Sequence, residues 1–324
     1  MAGEVTVLNS LIYAQKEHKM RRAMLFPLPF CFFLIFMPSA LSLPESDIAP
    51  LPRIMLEPLV RATLLEDLGR RGDLTSDAIV PASAQATLEL RARQSGVLAG
   101  LDCARLAFEL IDPAIRFEAL LGDGARLQRG DCIARLQGSA RAMLTAERTA
   151  LNLLGLLSGV ASATAHIADA IAATATRVTC TRKTLPGLRA VQKYAVRVGG
   201  GSNHRFGLDD AILIKDNHIA IAGGLPQAVQ RARAAAGHMV QIEVEVDTLA
   251  QLEQALALQV PIVLLDNMDL PTMRQAVQMA RGRAGRVTLE SAPHIAATGV
   301  DLIAVGWITH SAPVLDIGLD VPAG

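Results

Sequence analysis

The sequence predicts an α/β protein, and three observations carry that prediction. From about position 175 onward, short apolar runs alternate with amphipathic segments of helical period. That alternation is the signature of parallel strands joined by helical crossovers, hence of a barrel or an open α/β sheet. The polar residues of this half fall at or just beyond the ends of the apolar runs, where the loops of an α/β barrel converge over its mouth. The first half follows a different grammar, mixing helices with strands closed by tight turns, and reads as an α+β domain.

The chain has 324 residues, 51% of them hydrophobic, enough for a full core in one large domain or two ordinary ones. Its 31 basic and 31 acidic residues cancel, so no global field favours nucleic acid or an acidic membrane. Aromatics at 3% further disfavour stacking on single-stranded nucleic acid. Cys31, Cys103, Cys132 and Cys180 show no metal-like spacing and have mostly apolar neighbours. They read as reduced, buried thiols of a cytoplasmic protein.

Residues 1–50 stand apart. Lys19, Arg21 and Arg22 precede an uncharged run over 23–44, followed by small residues, which is the outline of a signal peptide. The long preceding region and the prolines at 27, 29, 38 and 44 fit better with translation from a start upstream of the true one. No membrane is expected for the rest.

Leu56, Leu59, Val60, Thr63 and Leu64 recur at helical spacing until Gly69 and Gly72. Residues 87–93 alternate like a strand with Leu88, Leu90 and Ala92 on one face, and Ser95-Gly96 turns the chain toward a helix at about 102–111. Gly122-Asp123 and Gly130-Asp131 mark further turns, and an Ala- and Leu-rich helix runs from 140 to about 157. Strands are then expected at 177–181, 211–214, 241–246, 262–265, 287–289 and 302–305. Helices are expected at about 187–198, 225–236, 248–258 and 271–281.

The stretch 180–218 gathers Arg182, Lys183, Arg189, Lys193, Arg197, Arg205 and Lys215 against three aspartates, with His204, His218 and the glycines 199–201. Within a neutral chain this is a pocket for an anion. Arg182, Lys183, Lys215, Glu245, Asp266, Glu290, Ser291 and Gly306 sit at predicted strand ends. Arginine's planar fork suits carboxylate or phosphate, and lysine is a compact mobile charge. Glu245 and Asp266 among these cations suit Mg2+ holding phosphate oxygens. Glu243 shares a strand face with Glu245 and either joins the site or forms an internal salt bridge. His204 is either a ligand contact or a structural histidine, and His218 and His310 are equally open. Arg189, Lys193 and Arg197 have the spacing of a solvated helix face. The glycines 199–201 end a helix or cradle a phosphate.

The blocks TRKTLPGLRAVQKYAVRVGGGSNHRFGLDDAILIKDNH, ERTALN (147–152), IEVEVDTLAQL (242–252), LLDNM (264–268) and GVDLIAVGWITHSAPVLDIGLD (299–320) closely resemble the quinolinate phosphoribosyltransferases, or nicotinate-nucleotide pyrophosphorylases (carboxylating). The resemblance runs from about Leu51 to the C-terminus. It implies an α/β sandwich over 51–158, a TIM-like α/β barrel over 159–308 and a segment over 309–324 that returns to the sandwich. It also implies a homodimer, or an assembly of dimers, in which one sandwich covers the other subunit's barrel. The implied reaction joins quinolinate and phosphoribosyl pyrophosphate to give nicotinate mononucleotide, pyrophosphate and CO2, with Mg2+. By matching position, Arg182, His204 and Arg205 grip the quinolinate carboxylates, with Arg148 arriving from the other subunit. Lys183 and Lys215 face the reacting groups, and Glu245 and Asp266 hold Mg2+ and the ribose. Lys183, Glu245 and Asp266 are the implied catalytic set.

One departure stands out. Only APHIAATGV separates Ser291 from Asp301, whereas a crossover between parallel strands generally takes a dozen or more residues. The resembled family carries a Ser-Gly-Gly turn and a longer helix there, and the turn's amides bind the 5′-phosphate of the donor. Ser291, Gly306 and His310 remain of that site. Losing two such bonds at about 1.5–3 kcal/mol each weakens donor binding by roughly 10²- to 10⁴-fold. The competing expectations are a ModD-like phosphoribosyltransferase with another acceptor, and a weakly active or silent variant acting as a binding protein.

Overall fold

The computed structural model describes residues 48–282, 288–291 and 298–322. The signal-like run and the segment 292–297 of the short link lie outside the described residues.

Helix α1 (Arg53–Leu68) turns Leu56, Val60 and Leu64 inward, as their spacing predicts. Asp73 then caps the short α2 (Leu74–Ile79) by accepting the backbone N–H groups of Thr75 and Ser76. Strand β1 (Gln85–Ala92) buries Leu88, Leu90 and Ala92 on its predicted face. It is followed by β2 (Gly96–Val97), α3 (Leu101–Ile111), β3 (Arg116–Ala119), β4 (Arg126–Leu127) and β5 (Cys132–Ser139). Strand β5 pairs antiparallel with both β1 and β3, and β2 pairs separately with β4. On the other face of β1, Glu89 is only 3% exposed and is held by Arg91 and Arg135.

Helix α4 (Ala140–Ala170) is the long element of the fold. Ser139 caps it, and it continues well past the expected end near 157. Position 158/159, the boundary drawn from sequence, lies inside this helix. Gly155 and Gly159 lie inside it and admit a close neighbour. A Cβ on Gly155 would sit 2.8 Å from the Leu315 carbonyl oxygen, and one on Gly159 would clash with that of Pro313. The Leu315 N–H completes the contact by donating to the Gly155 carbonyl at 3.0 Å. Although α4 is long and apolar enough to cross a membrane, it is mostly buried as a core helix.

The second half alternates as expected: β6 (Arg177–Thr179), α5 (Arg189–Val198), β7 (Ala211–Ile214), α6 (Asp216–Ala222), α7 (Leu225–Ala235), β8 (Gln241–Val246), α8 (Leu249–Ala257), β9 (Ile262–Leu265), α9 (Leu270–Arg281), β10 (Thr288–Ser291) and β11 (Leu302–Ala304). Capping fixes the helix starts. Thr248 and Gln251 form a reciprocal box at α8, and Asp269 accepts the Thr272 N–H at α9. The six strands form one parallel sheet in the order β6-β11-β10-β9-β8-β7.

The two ends of this sheet are brought together by residues 202–205. The Ser202 N–H donates to the Val178 carbonyl beside β6, and Arg205 Nη1 donates to the Ala211 carbonyl at the start of β7. A barrel-like enclosure results, with one strap between its edge strands. Despite their short link, β10 and β11 are parallel neighbours, with Ser291 opposite Ile303. Asp301 anchors the join: its carboxylate accepts the Leu289 N–H at 2.9 Å and pairs with Arg281 at 2.8 Å. After the short α10 (Trp307–His310), the chain ends in β12 (Ile317–Asp320), which adds antiparallel to β1.

Candidate active site

A cavity of about 550 Å3 opens at the C-terminal ends of the parallel strands. Arg182 and Lys183 reach it just past β6, Lys215 just past β7, Glu245 from β8 and Asp266 just past β9. Gly306 and His310 line the side beyond β11, and His204 and Arg205 enter from the strap. Nine of the eleven positions singled out from sequence therefore share one cavity. Two do not line it. Arg148 lies on an outer face of α4, 68% exposed and paired with its neighbour Glu147, and Ser291 closes β10 with its side chain outside the description.

The electrostatics are lopsided. Desolvation first, and the adjacent Arg182 guanidinium second, pull the Arg205 pKa below its ordinary value. Two like charges are thus held side by side, and the Nε atoms of both are buried without a hydrogen-bond partner. Two guanidinium groups on one cavity, with Lys183 and Lys215 beside them, suit an anion with several acceptor oxygens. Across the cavity Lys215 Nζ contacts Glu245 Oε2 at 2.7 Å.

His204 is oriented on both sides. Its Nδ1 accepts the Arg205 backbone N–H at 2.7 Å, so the ring proton resides on Nε2, which donates to Glu243 Oε2 at 2.8 Å. Glu243 is therefore an internal partner of His204 beneath the cavity, which settles the choice the sequence left open. His218 serves the backbone, its Nδ1 accepting the Lys215 N–H at 3.0 Å. The glycines 199–201 end α5 and press against α4, where a Cβ on Gly199 or Gly201 would meet Ala161 or Thr164. Helix termination and close packing explain them.

Three features escaped the sequence reading. Lys193, expected on a solvated face, is 2% exposed. The correction has a physical cause: α5 is covered on that side by the strap, and Lys193 Nζ donates to the His204 carbonyl at 2.9 Å. Trp307 lines the cavity from the start of α10. Asn267 adopts a left-handed backbone (φ 52) directly after Asp266, and its side chain donates to Asp247 at 2.8 Å. Only a bulkless turn signal would have revealed that conformation, and asparagine tolerates it without one.

The donors suit Mg2+ in one particular way. No group of three or more metal-ligating side chains occurs among the described residues, yet Glu245 and Asp266 come from neighbouring strands into one cavity. Mg2+ commonly takes one or two carboxylates and completes its shell with water and substrate phosphates. The pair fits an ion that arrives with a polyphosphate.

Fold and site together define an α/β enzyme of the strand-end type, with cations and a carboxylate pair gathered on one cavity. The family model for the N-terminal domain of quinolinate phosphoribosyl transferase matches residues 73–158, and that for its C-terminal domain matches residues 160–320. The chain is 46% identical over 272 residues to the nicotinate-nucleotide pyrophosphorylase [carboxylating] of Mycobacterium leprae, covering 81% of this chain and 95% of that protein. It is 42% identical over 273 residues to the probable enzyme of the same name from Bacillus subtilis, covering 83% and 94%. The solved nicotinate-nucleotide pyrophosphorylase of Francisella tularensis superposes with a TM-score of 0.80 at 39% identity, covering 86% of this chain and all of that one. The chain belongs to the quinolinate phosphoribosyl transferase family.

Proposed function

We propose that the protein transfers the phosphoribosyl group of phosphoribosyl pyrophosphate to quinolinate with decarboxylation, giving nicotinate mononucleotide, pyrophosphate and CO2. The observation that carries this reading is the placement of Arg182 and Arg205 on one cavity, near enough that each guanidinium feels the other. Two neighbouring carboxylates on a planar ring match two guanidinium forks. His204, fixed as a donor toward Glu243, supports the edge of the same ring site.

In this reading Arg182, His204 and Arg205 bind the acceptor, with Arg148 contributed by the second subunit of a homodimer. Lys183 and Lys215 lie along the path of the leaving pyrophosphate. As its bond to the anomeric carbon breaks, the electron pair leaves with pyrophosphate, and these ammonium groups stabilise the growing negative charge. The pyridine nitrogen donates its lone pair to the anomeric carbon. The resulting ring cation then accepts the electron pair of the adjacent carbon–carboxylate bond as CO2 departs, and that ring carbon takes up a proton. Glu245 and Asp266 face the positive charge that develops on the sugar. A Mg2+ ion held by these two carboxylates would supply charge neutralisation for the pyrophosphate when bound.

Gly306 and His310, with Ser291, remain for the donor's 5′-phosphate. The domain reading is a sandwich over 51–158, a barrel over 159–308 and a returning segment over 309–324. Support for the last part is the pairing of β12 with β1. A cytoplasmic location completes the proposal.

The test is turnover by the purified full-length protein with quinolinate, Mg2+ and a wide range of phosphoribosyl pyrophosphate, detecting nicotinate mononucleotide and CO2. Product in stoichiometric amounts is expected. Folded protein that yields none at any donor concentration would overturn the reading.

A further inference from the structure

A lysine with almost no exposed surface demands an explanation, because burying an ammonium without compensation is among the costlier things a fold can do. Lys193 lies in the middle of α5 and is 2% exposed. Among the described residues no carboxylate is in direct contact with it, and Asp210 feels its charge only at longer range. Its Nζ donates to the His204 carbonyl at 2.9 Å and rests 3.1 Å from Cys180 Sγ. Its charge is thus directed at the backbone of the strap.

The strap is pinned residue by residue. Ser202 is laddered to β6 through the Val178 carbonyl and the Cys180 N–H, at 2.8 and 3.2 Å. Asn203 Oδ1 meets Cys180 Sγ at 3.3 Å. The next carbonyl, that of His204, points back to Lys193. This fixes the plane of the peptide joining residues 204 and 205, because a carbonyl turned toward α5 turns the Arg205 N–H the other way. That N–H meets His204 Nδ1 at 2.7 Å, which leaves Nε2 as the protonated nitrogen facing Glu243. Arg205 continues from the same peptide toward the cavity, one arm held by the Ala211 carbonyl.

We propose that Lys193 is a positioning residue for the acceptor side of the cavity: by holding the His204 carbonyl it sets the tautomer of His204 and the direction of Arg205. It touches neither substrate nor reacting atoms. Without it the carbonyl loses the ammonium that faces it from α5, and the peptide plane is free to rotate toward another partner. The effect is confined to one side, since Lys215, Glu245 and Asp266 sit at the ends of β7, β8 and β9, and Lys215 is paired with Glu245 rather than with the strap. The proposal rests on the reading of Arg182, His204 and Arg205 as the acceptor site.

Two measurements test it, steady-state kinetics and 15N spectra of the histidine rings, with His204 assigned from a His204→Gln sample. The unmodified protein is expected to show His204 as the neutral Nε2–H tautomer. Lys193→Met is expected to raise KM for quinolinate about tenfold to a hundredfold, leave KM for phosphoribosyl pyrophosphate within about threefold, and abolish the Nε2–H pattern. If Lys193→Met does not fold, Lys193→Gln, which keeps a neutral donor of shorter reach, is expected to show a smaller split in the same direction. A folded variant in which both KM values move together, or in which His204 keeps its tautomer, overturns the proposal. So does an unmodified protein whose His204 is charged or protonated at Nδ1. Failure of the unmodified protein to turn over quinolinate would instead refute the acceptor reading, and the His204 spectra would still decide the role of Lys193.

Discussion

Arg182 and Arg205 should respond differently to the same substitution, and the difference follows from how their nitrogens are employed. Both carry a buried Nε without a partner, but Arg205 also commits Nη1 to the Ala211 carbonyl at 3.0 Å. Replacing either by lysine keeps the charge and removes the fork. Each loses one charge-assisted bond to the acceptor, about 1.5–3 kcal/mol, or roughly 10- to 150-fold in affinity for quinolinate. Arg205→Lys additionally leaves the Ala211 carbonyl unmet where the strap joins β7, at about 1–3 kcal/mol of stability. For a chain of this size that lowers Tm by roughly 2–5 °C. Arg182→Lys should leave Tm unchanged to within about 1 °C, because no internal bond is broken. Isothermal titration with quinolinate and scanning calorimetry on both variants measure the two effects separately. Equal melting temperatures would refute the bridging role of Arg205, and unaltered affinity in both variants would refute the acceptor site.

Other substitutions probe the scaffold. Gly159→Ala would press a methyl group into the Pro313 carbonyl, and we expect a loss of about 1–3 kcal/mol in urea denaturation; an unchanged midpoint would show that the C-terminal segment is not seated on α4. Tyr194→Phe removes a 2.8 Å hydrogen bond to Asp123, a carboxyl whose pKa burial raises. About 1–2 kcal/mol should be lost, because the buried carboxyl then lacks one of its donors, and equal stability of the two proteins would contradict it. The hydrogen bond from Arg135, foremost, and that from Arg91 hold the Glu89 carboxyl below its ordinary value of 4.5 despite opposing desolvation. A depressed folded pKa stabilises the protein fully above the unfolded value and progressively less as pH falls through the folded one. Tm should therefore decline below about pH 4.5, and Glu89→Gln should flatten that decline; parallel curves would assign acid sensitivity to other groups.

Much of the site could be read in the sequence because strand ends are easy to find. An apolar run of four to six residues followed by a charge localises that charge to within a residue or two, and parallel topology then gathers such ends on one face. Lys215, Glu245 and Asp266 were legible for that reason. Lys193 was not, since spacing of four residues tells which side chains share a helix face but not what the face meets. The full length of α4 was not legible because the residues that Gly155 and Gly159 accommodate, Leu315 and Pro313, lie far along the chain. The pairing of β12 with β1 joins residues more than two hundred positions apart, and no local pattern encodes it. Position 292–297, where the short link raised the question of a lost phosphate turn, is outside the described residues, but the anchoring of Asp301 to Leu289 and Arg281 accounts for β11 reaching its place beside β10.

Helix α4 belongs to both halves at once. At about 1.5 Å per residue its 31 residues form a rod of roughly 46 Å, and nothing along it yields like a hinge. Cutting the gene at the junction between the two family models would sever that rod near its middle and through the glycine notch that receives the C-terminal segment, leaving Gly155 on one fragment and its occupant Leu315 on the other. Neither half should be obtainable as an independent unit, and evolutionary exchange of one half for a foreign domain would have to carry the whole rod with it.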